Sequence, residues 1–277
     1  MRKFLILVLA ASSILSSCSK DEQLETAEVT NFNALVTKAS DLQATGVYKG
    51  TFASYDNENR GIVMIQINQA GKAQATLQFA NGQETQLLAD SQTSKSGLYT
   101  EVTFVNDVTS FRFSVAQDGS APRVSGLELG TAEGSMKVLK ETTRGPLLPI
   151  SGTYTCDNCE IHPLLESGVT QTFNATTVSG GGNNEQQIVT QIILNGKDFG
   201  SSTGNTQSGC ANSGGIRTCT IAGASATIIG TRAINWSGTH RFTPGGTSCS
   251  EVSGTWSFNS QYGLLTGTFI SDSTCGF

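Results

Sequence analysis

Apolar and polar residues alternate with a period of two from Gly46 onward. The first half contains eight such runs, among them "GVYKGTFASY", "GIVMIQIN" and "SFRFSVAQ", separated by turn pairs such as Asn81-Gly82 and Asp118-Gly119. A period of two puts successive side chains on opposite faces of a strand, and Asn-Gly and Asp-Gly favour tight hairpins. The pattern therefore predicts an all-β fold, a meander of about eight antiparallel strands that closes into a barrel or folds into a sandwich.

A break in the alternation divides the chain. The stretch 141–150 contains Pro146 and Pro149 and no alternating pattern, which indicates a boundary. We expect two consecutive antiparallel β domains, at 46–142 and 151–277. The second is richer in Thr, Ser, Gly and Asn, and we predict loops at 179–185 and 196–215. Its predicted strands are Val169–Val178, Gln187–Leu194, Ala224–Ile229, Thr231–Phe242, Glu251–Phe258 and Gly263–Ile270.

A short Gly-Thr phrase recurs in the second domain. It occurs as "SGTYT", "SGTHRF", "SGTWSF" and "TGTF", at Gly152, Gly238, Gly254 and Gly267. The irregular spacing argues against a solenoid or a propeller. We interpret the phrases as equivalent strand starts, where glycine lets the strand bend and the aromatic residue that follows points into the core.

Six of the seven cysteines lie in the second domain, which predicts a disulfide-bridged domain if the chain is exported. Cys249 and Cys275 flank a predicted hairpin joined at 260–261, so its two ends would meet. Cys210 and Cys219 bracket the glycine-rich "ANSGGIRT". Cys156 and Cys159 remain as the third pair. Their C-x-x-C spacing resembles a redox motif, but Pro163 interrupts the helix that such a motif requires, so we favour a structural disulfide.

The N-terminus has the order of a secretory signal. Arg2 and Lys3 precede an apolar block, Phe4–Ala11, which is shorter than the roughly 20 residues that a membrane-spanning helix needs. The block ends at Leu15-Ser16-Ser17-Cys18, which resembles a bacterial lipobox. The resemblance implies a signal peptide at 1–17, lipidation of Cys18 and a lipidated tether at 18–45.

The residues after Cys18 refine the expected location. Ser19 stands where a signal for retention in the inner membrane usually has Asp, and Lys20-Asp21-Glu22 resembles the surface-export signal of lipoproteins of Bacteroidota. The resemblance implies a lipoprotein of the outer membrane, anchored by its lipid and facing the cell exterior. A periplasm-facing orientation is the alternative, because a charged run also suits a solvated tether.

Several classes of function find no support in the sequence. The net charge of −5 provides no basic stripe for nucleic acid. His162 and His240 are too few for a zinc site, so we predict no metal and no cofactor. Gly200–Gly204 formally matches G-x-S-x-G but lacks the flanking strand and helix. The acidic residues show no marked pair for glycoside hydrolysis. We therefore predict no catalytic residues and no enzymatic activity, with a hydrolase as the less favoured reading.

A binding role remains. Tyr262, at the predicted hairpin tip, and Trp236 and Trp256 are candidate ligand-binding residues, and Tyr154 is a further ring of the same kind, because flat amphipathic rings stack on sugars and insert into partners. Tryptophans within strands are also frequent core residues. We expect capture of an extracellular ligand such as a glycan, in a layout similar to tethered glycan-binding lipoproteins of polysaccharide-uptake systems. The alternative is an accessory subunit that docks on an outer-membrane β-barrel complex.

Overall fold

The computed structural model describes residues 43–89, 94–96, 99–142, 149–163, 165–179, 186–194, 196–198, 206–224, 233–244 and 249–273. The predicted signal peptide, Cys18 and the export-signal residues lie outside these ranges, as does most of the predicted tether. Within them the regular elements are all β-strands, and no helix there is long and apolar enough to cross a bilayer. The prediction of an all-β fold is confirmed, and the strands form two consecutive antiparallel β domains.

The first domain is a nine-stranded antiparallel sheet in the order β4-β3-β2-β1-β9-β8-β7-β6-β5. An isolated bridge between Ala89 and Phe104 links the end of β4 to β6. The short strand β5 is additional to the eight predicted runs. The strands are β1 (Gly46–Ser54), β2 (Arg60–Ile67), β3 (Ala73–Phe79), β4 (Glu84–Leu88), β5 (Ser94–Ser96), β6 (Tyr99–Val105), β7 (Thr109–Ala116), β8 (Arg123–Leu129) and β9 (Ala132–Glu141).

Large side chains fill the interior of this sheet. Tyr48 and Phe113 pack with ring centroids 4.9 Å apart, and Phe104 and Phe111 stack at 4.8 Å. Leu77 lies in the same cluster with no exposed surface. Burial of side chains of this size contributes roughly 1.5–3 kcal/mol each to folding. The inner face of the first domain is therefore a close-packed core.

The second domain is a closed barrel of eight strands in the order β10-β11-β12-β15-β16-β17-β18-β19, so closure selects the barrel over the sandwich. A two-stranded sheet, β13-β14, accompanies it. The strands are β10 (Ile150–Cys156), β11 (Gln171–Ser179), β12 (Gln186–Gln191), β13 (Ile193–Leu194), β14 (Lys197–Asp198), β15 (Thr206–Ser213), β16 (Ile216–Ala224), β17 (Ile234–Phe242), β18 (Ser250–Ser260) and β19 (Gly263–Ser271).

Two sequence predictions in this domain are wrong. The stretch 196–215, predicted as a loop, contains β14 and β15, and 216–224, which was not predicted as a strand, forms β16. Strand β15 reads "TQSGCANS" and has no apolar alternation; its pairing with β16 and the Cys210–Cys219 disulfide hold it in place. Of the predicted strand Ala224–Ile229, only Ala224 is described, at the end of β16.

The recurring glycines lie inside strands rather than at their starts, and three of the four, Gly152, Gly254 and Gly267, lie under an aromatic ring from a neighbouring strand, whereas Gly238 faces backbone atoms of β18. A Cβ at Gly267 would stand 2.6 Å from Trp256 Nε1, and one at Gly254 would stand 2.6 Å from the Phe269 ring. Gly152 makes the same contact with Phe173. The aromatic rings therefore lie against the barrel wall instead of projecting across the centre.

Two predicted disulfides are confirmed. Cys156 bonds to Cys159, and Cys210 bonds to Cys219 across β15 and β16. The second bond closes a hairpin rather than a loop, since Gly214 and Gly215, with φ of 57° and 80°, form the turn. Cys249 is also disulfide-bonded. Its predicted partner, Cys275, lies outside the described residues.

The outer face of β1 contacts β11 and β12, so all nine residues of β1 are buried. The contact is polar. Asn174 Nδ2 of β11 donates to Phe52 O of β1 at 3.2 Å. On the neighbouring strand β9, Ser135 O accepts a hydrogen bond from Gln191 Nε2 of β12 at 3.0 Å. These bonds position the wall of the barrel that carries Phe173 and Ile188 on its inner face.

Candidate ligand-binding cavity

The closed barrel encloses a cavity of about 430 Å³. It is bounded by inward-facing residues of seven of its strands, by Leu194 of β13 and by parts of the loops that follow β10, β12 and β18. The lining consists of Tyr154, His162, Pro163, Leu165, Phe173, Ala175, Ile188, Thr190, Ile192, Leu194, Ile221, Ile234, Trp236, Val252, Trp256, Phe258, Ser260, Gln261, Tyr262 and Phe269. The volume lies within the roughly 300–1,000 Å³ typical of small-molecule sites.

Aromatic rings form one side of the cavity. Trp236 and Trp256 are directly opposite each other on β17 and β18. Trp256 packs edge-on against Tyr154 with ring centroids 6.1 Å apart, and Trp236 packs edge-on against Phe269 at 6.2 Å. Edge-to-face contacts of this kind fix ring orientation, so this wall is preformed.

The polar atoms of these rings differ in their partners. Trp256 Nε1 donates to Thr155 O at 3.0 Å. Trp236 Nε1 is buried and finds no acceptor among the described residues. The Tyr154 hydroxyl likewise makes no hydrogen bond to a described residue. Burial raises the pKa of Tyr154, so its hydroxyl stays protonated at neutral pH.

The cavity reaches the surface at the turn between β18 and β19. Gln261 is exposed there, and Tyr262 keeps 40% of its surface exposed. The Tyr262 ring packs edge-on against His162, with centroids 5.6 Å apart. Leu165 N donates to His162 Nδ1 at 3.1 Å, and burial lowers the pKa of His162. Tyr262 and His162 thus mark the entrance.

Toward the opposite end of the barrel, His240 lies fully buried on β17. Its Nδ1 lies 2.7 Å from Gln207 Oε1, and its Nε2 lies 3.0 Å from Ser250 Oγ. Because an amide oxygen can only accept, Nδ1 carries the proton and the Ser250 hydroxyl donates to Nε2. The ring stacks on Phe242 at 4.5 Å. Burial lowers the pKa of His240 to about 4, so it is neutral at pH 7.

The structure brings the three predicted binding residues, Trp236, Trp256 and Tyr262, to one cavity. They do not form a flat exposed row, since Trp256 is only 6% exposed and Trp236 faces the barrel interior. The sequence also indicated Tyr154 as a stacking ring, and it lines the same cavity. Sequence reasoning missed Phe173 and Phe269, and their alternation with polar residues in β11 and β19 is the signal that could have identified them.

The described lining contains no Asp, Glu, Lys or Arg, so it offers no pair of carboxylates for hydrolysis. In the described part of the chain, no group of three or more His, Cys, Asp or Glu is placed to hold a metal ion. The G-x-S-x-G match, Gly200–Gly204, lies outside the described residues. The cavity can surround an apolar molecule and supply a few hydrogen bonds.

Comparison with protein-family models, with curated proteins and with solved structures gave no match for this chain. The geometry of the cavity is therefore the basis for inferring the function of this protein.

Proposed function

We propose that this protein is a lipid-anchored lipoprotein of the outer membrane, exposed on the cell surface, with a non-catalytic binding role. The lipobox-like Leu15–Cys18 and the run Lys20-Asp21-Glu22 support the anchor and its location. The second domain captures a small, predominantly apolar molecule inside its barrel.

The main support for the binding role is the cavity of about 430 Å³ inside the closed barrel. It is lined mainly by apolar side chains and reaches the surface beside Tyr262. Transfer of an apolar molecule from water into such a space is favoured by roughly 25 cal/mol for each Å² of apolar surface removed from water. The disulfides and the cross-strand rings hold the cavity open, so binding requires little ordering of the protein.

The chemistry of the lining favours an apolar ligand over a glycan. A sugar loses many hydrogen bonds to water on entry, and the lining offers few replacements, namely the Trp236 N–H, the Tyr154 hydroxyl and the side chains of Thr190, Ser260 and Gln261. Trp256, one of the three expected stacking residues, is only 6% exposed and its N–H is already bonded within the protein. A glycan would have to bind at the entrance, around Tyr262.

The test is a fluorescence titration of the mature chain from Ser19, produced without lipid and with its disulfides formed. The probe is N-phenyl-1-naphthylamine, which is neutral, apolar and bright only in apolar surroundings. We expect saturable binding with one probe for each chain. Ala175→Trp, which fills the cavity, should weaken binding at least about tenfold, equivalent to about 1.4 kcal/mol.

The matched control is Thr255→Trp, because Thr255 is exposed on the outside of β18. This variant should bind the probe within about twofold of the parent chain. No saturable binding to the parent chain, or equal weakening in both variants, would overturn the proposed role. A glycan array run on the same protein tests the alternative, for which Tyr262→Ala should abolish any signal.

A further inference from the structure

The Tyr154 hydroxyl and the Trp236 indole N–H are two hydrogen-bonding groups in the cavity lining that no described residue satisfies. Trp256, on the strand next to Trp236, shows the ordinary arrangement, in which Nε1 donates to the carbonyl oxygen of Thr155. A buried donor without an acceptor costs free energy, and most such groups in folded proteins are paired. Trp236 Nε1 is such a donor and therefore points to a partner outside the chain, and the Tyr154 hydroxyl in the same lining is a second group that this partner can use.

The kind of partner follows from what these groups can do. An indole N–H can only donate, and a phenol hydroxyl can donate or accept. The ligand atom that suits both is a hydrogen-bond acceptor. A carbonyl oxygen fits, because it has two lone pairs and can be carried by an otherwise apolar molecule.

The charge of the ligand is restricted as well. No Asp, Glu, Lys or Arg occurs in the described lining, and its histidine, His162, lies at the entrance. A carboxylate or an ammonium group inside would lose its hydration without gaining an opposite charge. The portion of the ligand inside the barrel must be neutral.

We infer that the cavity binds a neutral, predominantly apolar molecule that carries a carbonyl oxygen, which accepts hydrogen bonds from the Tyr154 hydroxyl and the Trp236 indole N–H. This inference rests on the proposed binding function and adds the chemical class of the ligand. It distinguishes such a molecule from a pure hydrocarbon, which leaves both groups unpaired, and from a fatty acid with its carboxylate inside the barrel.

The experiment compares benzophenone with diphenylmethane, two molecules of nearly equal size that differ in the carbonyl group, by displacement of N-phenyl-1-naphthylamine from the mature chain. The quantity measured is the ratio of the two dissociation constants, so differences in hydration of the free molecules cancel between protein variants. Tyr154→Phe with Trp236→Phe should lower the preference for benzophenone about tenfold. Tyr99→Phe, which removes the hydroxyl of an exposed tyrosine in the first domain, is the matched control and should preserve it.

A second measurement reads the hydrogen bond directly. The chain has two tryptophans, so its two indole N–H resonances can be assigned from the single Trp→Phe variants. We expect benzophenone to move the Trp236 resonance downfield and diphenylmethane to leave it nearly unchanged. An unchanged dissociation-constant ratio in the double variant, with the probe still bound, would overturn the inference while leaving the proposed function intact. Failure of the probe to bind the parent chain would instead overturn the proposed function.

Discussion

The two domains are both built from antiparallel meanders, yet one has a filled interior and the other is hollow. Eleven of the twelve largest fully buried side chains in the described residues belong to the first domain, and the twelfth is Ile150. In the barrel of the second domain, glycines such as Gly254 and Gly267 occupy inward positions, and aromatic rings of neighbouring strands cover them. The comparison teaches that barrel closure and the size of the inward side chains together decide between a core and a binding cavity.

The largest expected effect comes from removing one phenylalanine in each domain. Phe113→Ala, in the filled core, should lower the free energy of unfolding by about 4 kcal/mol, because it opens a cavity between close-packed neighbours. Phe269→Ala should cost about 2 kcal/mol, since Phe269 already borders open space. Urea unfolding followed by circular dichroism gives both values. Equal losses would mean that the two interiors are packed alike.

A pH titration should affect the second domain through His240. Its pKa is lowered from 6.5 to about 4, so the unfolded chain takes up a proton at a higher pH than the folded chain. The stabilisation is fully present above pH 6.5 and is lost as the pH falls to about 4. At about 1.4 kcal/mol for each pKa unit, the loss is about 3 kcal/mol.

Urea unfolding at several pH values between 7.5 and 4 measures this loss, with tryptophan fluorescence as the readout because both tryptophans lie in the second barrel. His240→Gln is the control. It keeps a polar side chain near Gln207 and Ser250 but has no proton to gain. A parent chain whose pH profile matches that of the variant would contradict the assignment.

The smallest effect comes from adding atoms to matched alanines. Ala75 is fully buried in the first core, and Ala175 lines the cavity of the second barrel. Ala75→Leu should cost about 2 kcal/mol through overpacking, whereas Ala175→Leu should change the free energy of unfolding by less than about 0.5 kcal/mol. Thermal unfolding of the two variants measures the difference. A destabilised Ala175→Leu chain would indicate that the barrel collapses around its ligand site.

The sequence pattern predicted eight of the nine strands of the first domain, because each of these runs alternates apolar and polar residues and the turns contain Asn-Gly and Asp-Gly, whereas the three-residue β5, "SKS", has no such pattern. It failed at β15, where "TQSGCANS" carries no apolar alternation and long-range pairing decides the structure. The Cys210–Cys219 pair was correctly predicted from its local position, although the bond closes a hairpin.

The cavity could be anticipated only in part. Trp236 and Trp256 stood out as ligand or core residues, and the structure places both on the inner wall. That the wall surrounds open space depends on barrel closure and on the summed volume of inward side chains from many strands, which no local pattern contains. The sequence also gives no sign that the Trp236 N–H lacks an acceptor. Trp256 is likewise followed by serine on a strand with a recurring glycine, and its N–H is paired.

The way the chain enters its first strand has a mechanical consequence. Ala44 N donates to Gln117 O at 2.8 Å, and Lys140 Nζ donates to Thr45 O at 2.6 Å, so the residues just before β1 are attached to the first domain. Strand β1 itself is bonded along its length to β2 and β9. Because Val47 pairs with Glu141, a force between the chain before Gln43 and the second domain would act at one end of the β1–β9 ladder, so its hydrogen bonds would open one after another from that end. Since β1 also contacts β11, whose inner face carries Phe173 and Ala175, a pull from that end would also load the wall of the cavity.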